Sequence, residues 1–266
     1  MGYTSYNTFS ATIRAKTLYA TQTTEETFTQ KHMNPQMDPK GVEFRESRDS
    51  ETHPNSFPII IALDQTGSMQ QIPDYIVKHS LPNIMEKLFE SGIADPQICF
   101  MAIGDCCYTE EAPLQVGQFE SGDEEMEKWL TSVYLEGRGG GNDHESYPLA
   151  WYFAARHTVT DSWEKRQKKG VLITIGDEPC QSILTKEQLE KYIDDGPEKD
   201  WTASELLEKV REKWQVFHIH CDGSHYRLSG LNWNKLLGPN LICSKGRDGA
   251  DIANLLTRII VDCYRQ

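Results

Sequence analysis

The 266-residue sequence has no hydrophobic run long enough to cross a bilayer, no C-x-x-C pair and no surplus of basic residues. A membrane-spanning helix needs about 18 successive apolar residues, so the sequence does not favour an integral membrane protein. The N-terminus lacks the apolar stretch of a secretion signal, and we expect no export. The seven cysteines are scattered along the chain. We therefore expect reduced thiols in a cytoplasmic protein.

The chain is rich in carboxylates instead. It has 40 Asp and Glu residues against 27 Lys and Arg, which gives a formal net charge of −13. Such a field repels phosphate backbones and anionic lipids, so we expect neither nucleic acid nor a membrane as partner. A surplus of carboxylates favours cations and basic partners. Hydrophobic residues make up 38% of the chain, enough to build a core.

The sequence divides into two parts of different character. Residues 1–56 show no sustained periodicity, and residues 31–56 combine three prolines with a run of charged residues. We interpret 1–56 as an N-terminal arm and 57–266 as one domain. The arm holds more large apolar side chains than a solvated tail usually does. We therefore expect it to fold against the domain, or against a second copy of the chain in a self-association.

From Phe57 onward, apolar strand patterns alternate with helical ones. Residues 58–63 form a continuous apolar run that ends at Asp64, and residues 97–104 and 170–175 repeat this pattern. Such runs are typical of strands covered on both faces of a parallel sheet. The alternation predicts an α/β fold with a doubly wound, mostly parallel sheet flanked by helices, Rossmann-like, with the arm outside it.

Three finer features of this fold are also predicted. Residues 114–119 are expected to form a short strand at a sheet edge. A helical stripe over 72–89 contains Pro82, which is expected to interrupt the helix because proline has no N–H to donate. The last helix is expected to begin near Asp248.

Oxygen side chains cluster directly after the first buried strand. Asp64, Thr66 and Ser68 alternate in the segment Asp64-Gln65-Thr66-Gly67-Ser68, so three oxygen ligands can converge in one turn. Mg²⁺ prefers hard oxygen ligands and is usually held by one or two carboxylates and several waters. A second acidic segment, Ile173-Thr174-Ile175-Gly176-Asp177, follows the strand that we expect to lie beside the first. Both segments end strands, where ligands bind in open α/β sheets.

These two segments resemble the metal-ion-dependent adhesion site of the von Willebrand factor A domain family, over roughly residues 57–264. The family's first motif is D-x-S-x-S, and Thr66 keeps the hydroxyl of the residue it replaces. Asp177 resembles the family's late aspartate, which holds the metal through water. The resemblance implies a bound Mg²⁺ or Mn²⁺, no catalytic residues, and a protein partner that completes the ion's coordination with an Asp or Glu.

The family's third metal loop carries a threonine, and this sequence has none there. Its Gly-rich, acidic segment over 139–145 resembles the version found in bacterial members. Ser146 is expected to cap the next helix and to place Pro148 in the first turn, which leaves Asn142, Asp143 and Glu145 on the loop. We choose Asp143 among these three. The expected metal ligands are Asp64, Thr66, Ser68, Asp143 and Asp177.

Other functions remain open at this stage. A metal-dependent hydrolase or phosphatase would need an acid/base residue, for which His144 and His220 are the candidates. A structural protein with a vestigial site is a third hypothesis. His218 and His220 could hold zinc together with Asp222 or His225, although strand histidines packed beneath a helix are commoner. Cys106 and Cys107 are interpreted as small residues in a tight loop, because no basic residue lies next to them in sequence.

Overall fold

The computed structural model describes residues 4–67, 69–107, 111–136, 144–193, 196–197, 199–221 and 226–266, with the backbone alone at 226–228. Strands in this part of the chain are, in order, β1 (Arg45–Ser47), β2 (Phe57–Asp64), β3 (Pro96–Ile103), β4 (Leu114–Val116), β5 (Thr158–Thr160), β6 (Gly170–Gly176), β7 (Ile183–Leu184), β8 (Trp201–Thr202), β9 (Trp214–His220) and β10 (Leu241–Cys243).

The α-helices of the same residues lie between and outside these strands. They are α1 (Thr8–Thr17), α2 (Thr24–Thr27), α3 (Gln71–Tyr75), α4 (Leu81–Glu90), α5 (Asp123–Thr131), α6 (Tyr147–Arg156), α7 (Asp161–Arg166), α8 (Lys186–Tyr192), α9 (Ala203–Val210), α10 (Tyr226–Leu237) and α11 (Gly249–Tyr264). No described helix is both long enough and apolar enough to cross a membrane.

The main sheet has six strands in the order β10-β9-β6-β2-β3-β4. Neighbouring strands are parallel except for β4, which runs antiparallel to β3 at the edge. The predicted edge strand is thus confirmed, with shorter bounds. The α/β class with a mostly parallel sheet flanked by helices is confirmed as well.

Successive residues of β2 supply two separate cores, because strand side chains alternate between the faces of a sheet. Ile59 and Ile61 belong to an apolar cluster with residues of α4 and α11. Ile60 and Ala62 belong to a second cluster, with α6 and α9. Every residue of β2 is buried. The continuous apolar run in the sequence is therefore explained by helices on both faces.

The helical stripe after β2 is interrupted, as expected, just before Pro82. A π-turn over Ile76–Ser80 separates α3 from α4, and Pro82 lies in the first turn of α4. A wider turn at this point accommodates a residue that cannot donate a backbone hydrogen bond.

The described part of the arm, residues 4–56, packs against the domain: α1 contacts α4 and α5, and the segment around Met37 and Arg45 lies along the outer side of β4. The N–H of Val116 in β4 donates to the carbonyl of Met37 at 2.8 Å, and Arg45 donates to the carbonyl of Val116 at 3.1 Å. Met37 and Phe28 are buried in the core. The arm thereby satisfies a strand edge that would otherwise present unpaired backbone groups.

Ion pairs fix the arm at a second place, which we call the latch: Arg48, Asp49, Asp161 and Arg166. Arg166 donates to both oxygens of Asp49, at 2.7 and 3.0 Å. Arg48 donates to Asp161 at 2.9 Å. Strand β1 runs just before the latch and pairs with β5, so backbone and side-chain contacts act together.

Candidate metal centre

The carboxyl ends of β2, β3 and β6 lie side by side, because β2 is parallel to both neighbours. The chain continues from β2 to β3 on one side and returns to β6 on the other. The point where strand order reverses in this way is where ligands of open α/β sheets bind. Asp64 ends β2, Asp105 follows β3, and Asp177 follows β6. All three side chains are buried.

The turn after β2 is built around the carboxylate of Asp64. Thr66 donates twice to Asp64 Oδ1, from its backbone N–H at 2.8 Å and from its hydroxyl at 2.6 Å. The phenol of Tyr147 donates to Asp64 Oδ2 at 3.0 Å. Both carboxylate oxygens are thus oriented by the protein, and the Thr66 hydroxyl lies directly beside them.

Tyr147 reaches Asp64 because Gly176 has no side chain. A Cβ on Gly176 would lie 1.9 Å from the Tyr147 hydroxyl oxygen. The tyrosine ring also contacts the edge of Trp233, with 5.0 Å between ring centroids. Burial, and then the nearby Asp64, raise the pKa of Tyr147 well above its usual value. The phenol therefore keeps its proton and acts as a donor.

Glu145 brings a fourth carboxylate to the same place. Its N–H donates to the carbonyl of Pro179 at 3.0 Å, and its carbonyl accepts from the N–H of Gln181 at 3.1 Å, so the loop after β6 fixes its backbone. The residue is 3% exposed, and its Oε2 atom is buried without a hydrogen-bond partner in the part of the chain that the structure describes. We call Asp64, Asp105, Glu145 and Asp177 the strand-end cluster.

Negative charge accumulates in the strand-end cluster. Burial raises the pKa of Glu145 to about 10, and the carboxylates of Asp64 and Asp105 add to this rise. Burial also raises the pKa of Asp64 to about 7; the hydrogen bonds from Thr66 oppose that shift and the charge of Asp177 reinforces it. Buried carboxylates that repel one another in this way are stabilised either by protons or by a cation.

Arg247 brings a positive charge to the cluster. Arg247, in the loop between β10 and α11, places a guanidinium nitrogen 2.5 Å from Asp177 Oδ2. The Asp177 side chain is 2% exposed, whereas that of Arg247 is 33% exposed and reaches in from the surface. The carbonyl of Arg247 accepts a hydrogen bond from Gln71 at the start of α3, at 3.4 Å.

The structure brings together Asp64, Thr66 and Asp177 of the expected metal ligands. Ser68 and Asp143, like Asn142, lie outside the described residues. Ser146 stands at the N-cap of α6 and Pro148 lies in the first turn, as expected, but the Ser146 hydroxyl makes no capping hydrogen bond. The hydroxyl donates instead to Gln181 at 2.7 Å, because the loop after β6 offers a buried acceptor.

The histidines of β9 pack beneath α10, which confirms their interpretation as core residues. His218 stacks on Trp233, with 3.6 Å between ring centroids, and hydrogen-bonds to Thr174 at 2.9 Å. His220 hydrogen-bonds to Ser229 at 3.0 Å. Neither histidine belongs to a three-ligand group among the described residues, and His225 lies outside them.

Sequence reasoning missed Tyr147 and Arg247 at this site. An aromatic residue at a helix start is usually interpreted as a core residue, and no local sequence pattern predicts that the Tyr147 hydroxyl contacts a strand end. Arg247 lies in the sequence far from Asp177, and only the packing of the loop before α11 brings the two together. It also missed that His144 approaches Cys107: the loops that carry them are distant in sequence but adjacent in space.

No profile of a known protein family matches the chain, and no curated protein matches its sequence. Among solved structures, the chain is similar to the pilus adhesin SpaC from Lactobacillus rhamnosus GG in its open conformation, with a TM-score of 0.50 and 9% identity. A second crystal form of SpaC gives the same TM-score at 10% identity. The similarity covers 81% of this chain but only 31% of the adhesin. At this identity, the similarity supports the α/β fold alone.

Proposed function

We propose that this chain is a divalent-cation-dependent protein-binding module of the von Willebrand factor A type, with Mg²⁺ or Mn²⁺ held at the strand-end cluster. The observation that carries the proposal is the buried Glu145 Oε2, which has no hydrogen-bond partner among the described residues, in a side chain whose pKa is raised by the carboxylates of Asp64, Asp105, Glu178 and Asp177. A buried acceptor of this kind is costly unless a proton or a cation satisfies it.

The residues present fit such an ion. Asp64, Glu145 and Asp177 offer carboxylate oxygens and Thr66 offers a hydroxyl oxygen, all of the hard type that Mg²⁺ and Mn²⁺ select. We assign the role of the third metal loop to Glu145, because the loop after β6 fixes its backbone beside the cluster. Ser68 keeps its predicted role as a ligand, and Asp143 remains the alternative on the third loop.

The chain's own residues prepare the site for cation exchange. Tyr147 and Thr66 orient Asp64, and Arg247 balances part of the charge at Asp177. A divalent ion supplies a strong positive charge with a coordination position open to an external oxygen. The partner would therefore present an Asp or Glu side chain, as the family resemblance implies. The similarity to an adhesin is compatible with a binding role.

The location proposed is the cytoplasm, and the partner is proposed to be a protein and neither nucleic acid nor membrane. All seven cysteines are free thiols, the state that a reducing compartment maintains.

Calorimetric titration with Mn²⁺ tests the metal site. We expect one Mn²⁺ per chain, and loss of binding in the isosteric variant Asp64→Asn. Glu208→Gln, an exposed carboxylate on α9, is the matched control and should bind Mn²⁺ normally. Equal binding by Asp64→Asn and the control would contradict the proposed site.

The open coordination position is tested on the Mn²⁺-loaded protein by water-proton relaxation. A short peptide with one Asp should displace the metal-bound water and lower the relaxation enhancement, whereas the same peptide with Asn should not. If both peptides leave the enhancement unchanged, the ion is structural and not a docking point.

The hydrolase hypothesis predicts turnover of a substrate where the binding hypothesis predicts none. Of its two acid/base candidates, His220 is 1% exposed and hydrogen-bonded to Ser229, so substrate could reach only His144. Metal-dependent turnover of a generic phosphoester, lost on substitution His144→Ala, would favour that function over binding.

A further inference from the structure

A group of three different side chains stands beside the strand-end cluster. Asp105, Cys107 and His144 each offer one ligand atom, and these atoms lie within 4.8 Å of one another. Asp105 and Cys107 follow β3, whereas His144 lies on the segment before α6. The three residues thus come from two loops that meet only in the folded protein.

We propose that Asp105, Cys107 and His144 form a second metal site, selective for Zn²⁺ or a similar borderline ion. The donor set is one sulfur, one nitrogen and one oxygen, which suits tetrahedral Zn²⁺ and is unlike the all-oxygen sets that Mg²⁺ requires. Three protein ligands leave a fourth position open for water or a partner group.

The distances require only a small contraction. Ligand atoms at 2.0–2.3 Å from a common tetrahedral ion lie about 3.5 Å apart, so the group closes by about 1 Å on loading. Cys107 is exposed and His144 is partly exposed, and their side chains can rotate toward Asp105. Asp105 itself is buried and accepts a hydrogen bond from the Cys107 N–H at 2.7 Å, which fixes the turn.

Gln188 gives the sulfur a supporting contact. Its side-chain Oε1 accepts from the N–H of Thr185 at 3.0 Å and from Gln181 at 3.2 Å, so the orientation of the amide is set by two donors. Its Nε2 therefore points to Cys107 Sγ and donates at 3.3 Å. A hydrogen bond to a ligand sulfur from outside the coordination shell is the kind of contact that orients metal ligands.

The second site differs from the first in the kind of ligand atom it offers. Its thiolate and imidazole come from residues that the Mg²⁺ site does not use, whereas Asp105 also belongs to the strand-end cluster. The inference does not depend on the proposed binding function, because Zn²⁺ can occupy this group whether or not Mg²⁺ binds at Asp64.

Titration of the full chain with Co²⁺, a spectroscopic substitute for Zn²⁺, tests the site. We expect an intense thiolate-to-cobalt charge-transfer band that saturates at one equivalent and disappears when Zn²⁺ is added. The band should be lost in Cys107→Ser and retained in Cys243→Ser, which removes the other exposed cysteine. The substitutions His144→Ala and Gln188→Leu should each weaken Co²⁺ binding by about tenfold or more.

Excess Mg²⁺ and the substitution Asp64→Asn separate the two sites, since both should leave the band in place. A band that survives Cys107→Ser, or one that Asp64→Asn abolishes, would overturn the assignment. Absence of any band, together with rapid alkylation of Cys107 that slows in His144→Ala, would show a reactive thiol–imidazole pair in place of a metal site. Failure of Mn²⁺ to bind at Asp64 would leave this result unaffected.

Discussion

The latch and the strand-end cluster use the same residue types in opposite electrostatic states. In the latch, burial alone would raise the pKa of Asp49, but hydrogen bonds from Arg166 and Ser56 outweigh it and lower the pKa to about 2. In the cluster, burial and neighbouring carboxylates raise the pKa of Asp64 to about 7 and that of Glu145 to about 10. Asp49 of the latch is thus paired with an arginine, whereas Asp64 and Glu145 at the strand ends are buried beside other carboxylates.

This difference separates the structural role of the latch from the binding role proposed for the cluster more sharply than burial does. Asp49 and Asp161 each contact at least one arginine, and their charges are compensated before any ligand arrives. At the strand ends, Arg247 contacts Asp177, and no described residue hydrogen-bonds to Glu145 Oε2. A surplus of buried negative charge is what a cation site needs before the cation binds.

The largest expected effect comes from making the same substitution in both regions. Asp49→Asn should lower the free energy of unfolding by about 2 kcal/mol, because each hydrogen bond to a charged group contributes about 1.5–3 kcal/mol to stability. Asp64→Asn should leave the metal-free protein equally stable or more stable at neutral pH. Urea denaturation of both variants without metal measures the difference. Equal destabilisation would erase the distinction between the two regions.

Glu145→Gln is expected to have the next largest effect, on metal affinity. Removing its charge should weaken Mn²⁺ binding by about 10- to 100-fold, or about 1.4–2.7 kcal/mol, because the carboxylate lies beside the ion. The isosteric amide should preserve the backbone contacts of residue 145. Calorimetry measures the affinity, with Glu208→Gln as the control. If Asp143→Ala weakens Mn²⁺ binding and Glu145→Gln does not, Asp143 supplies the third loop.

The fold follows from patterns that are local in the sequence. Residues 58–63 form a strand covered on both faces because each successive side chain finds an apolar layer. Asp64 and Asp177 could be placed together because the ends of parallel strands share one edge of a sheet. Asp248 caps α11, accepting hydrogen bonds from the N–H groups of Ala250 and Asp251, where the sequence indicates a helix start.

The parts of the site that the sequence did not reveal depend on contacts between distant segments. Arg247 meets Asp177 across 70 residues, and no periodicity or motif encodes that distance. Ser146 shows how a local rule can lose to a long-range contact: its hydroxyl bonds to Gln181 and not to its own helix. The proposal of Glu145 in place of Asn142 or Asp143 rests on the backbone contacts of Glu145 with the loop after β6, which the sequence does not reveal.

Arg247 gives the strand-end cluster an arginine–carboxylate pair like those of the latch. Its removal should have a smaller effect on metal affinity. Because its guanidinium and a divalent ion compete for Asp177, Arg247→Ala should raise Mn²⁺ affinity about fivefold to tenfold, or about 1–1.4 kcal/mol. Lys245→Ala removes the same charge from the same loop; Lys245 is exposed and serves as the control for net charge. Unchanged or weaker binding in Arg247→Ala would show that the arginine builds the site and does not compete for it.

The smallest expected effect, taken per pH unit, is a change in unfolding free energy with pH that has opposite signs in the latch and in the strand-end cluster. In the unfolded chain, Asp64 and Glu145 have pKa values of about 4. Folding raises the pKa of Asp64 to about 7 and that of Glu145 to about 10. Between these unfolded and folded values, the folded protein binds more protons than the unfolded chain. Their contribution to stability is therefore fully present at low pH and is lost as the pH rises through the folded-state values. Asp49 behaves in reverse: its contribution is present above about pH 4 and is lost as the pH falls toward about 2.

Urea denaturation of the metal-free chain between about pH 5 and about pH 8 isolates the cluster, because Asp49 stays ionised throughout that range. We expect the difference in unfolding free energy between Glu145→Gln and the unsubstituted chain to grow in favour of the variant by about 1.4 kcal/mol for each pH unit across this range. Saturating Mn²⁺ should reverse the difference, since the bound ion stabilises the ionised carboxylates. If this difference in unfolding free energy stays constant with pH in the absence of metal, the pKa of Glu145 is not raised by folding.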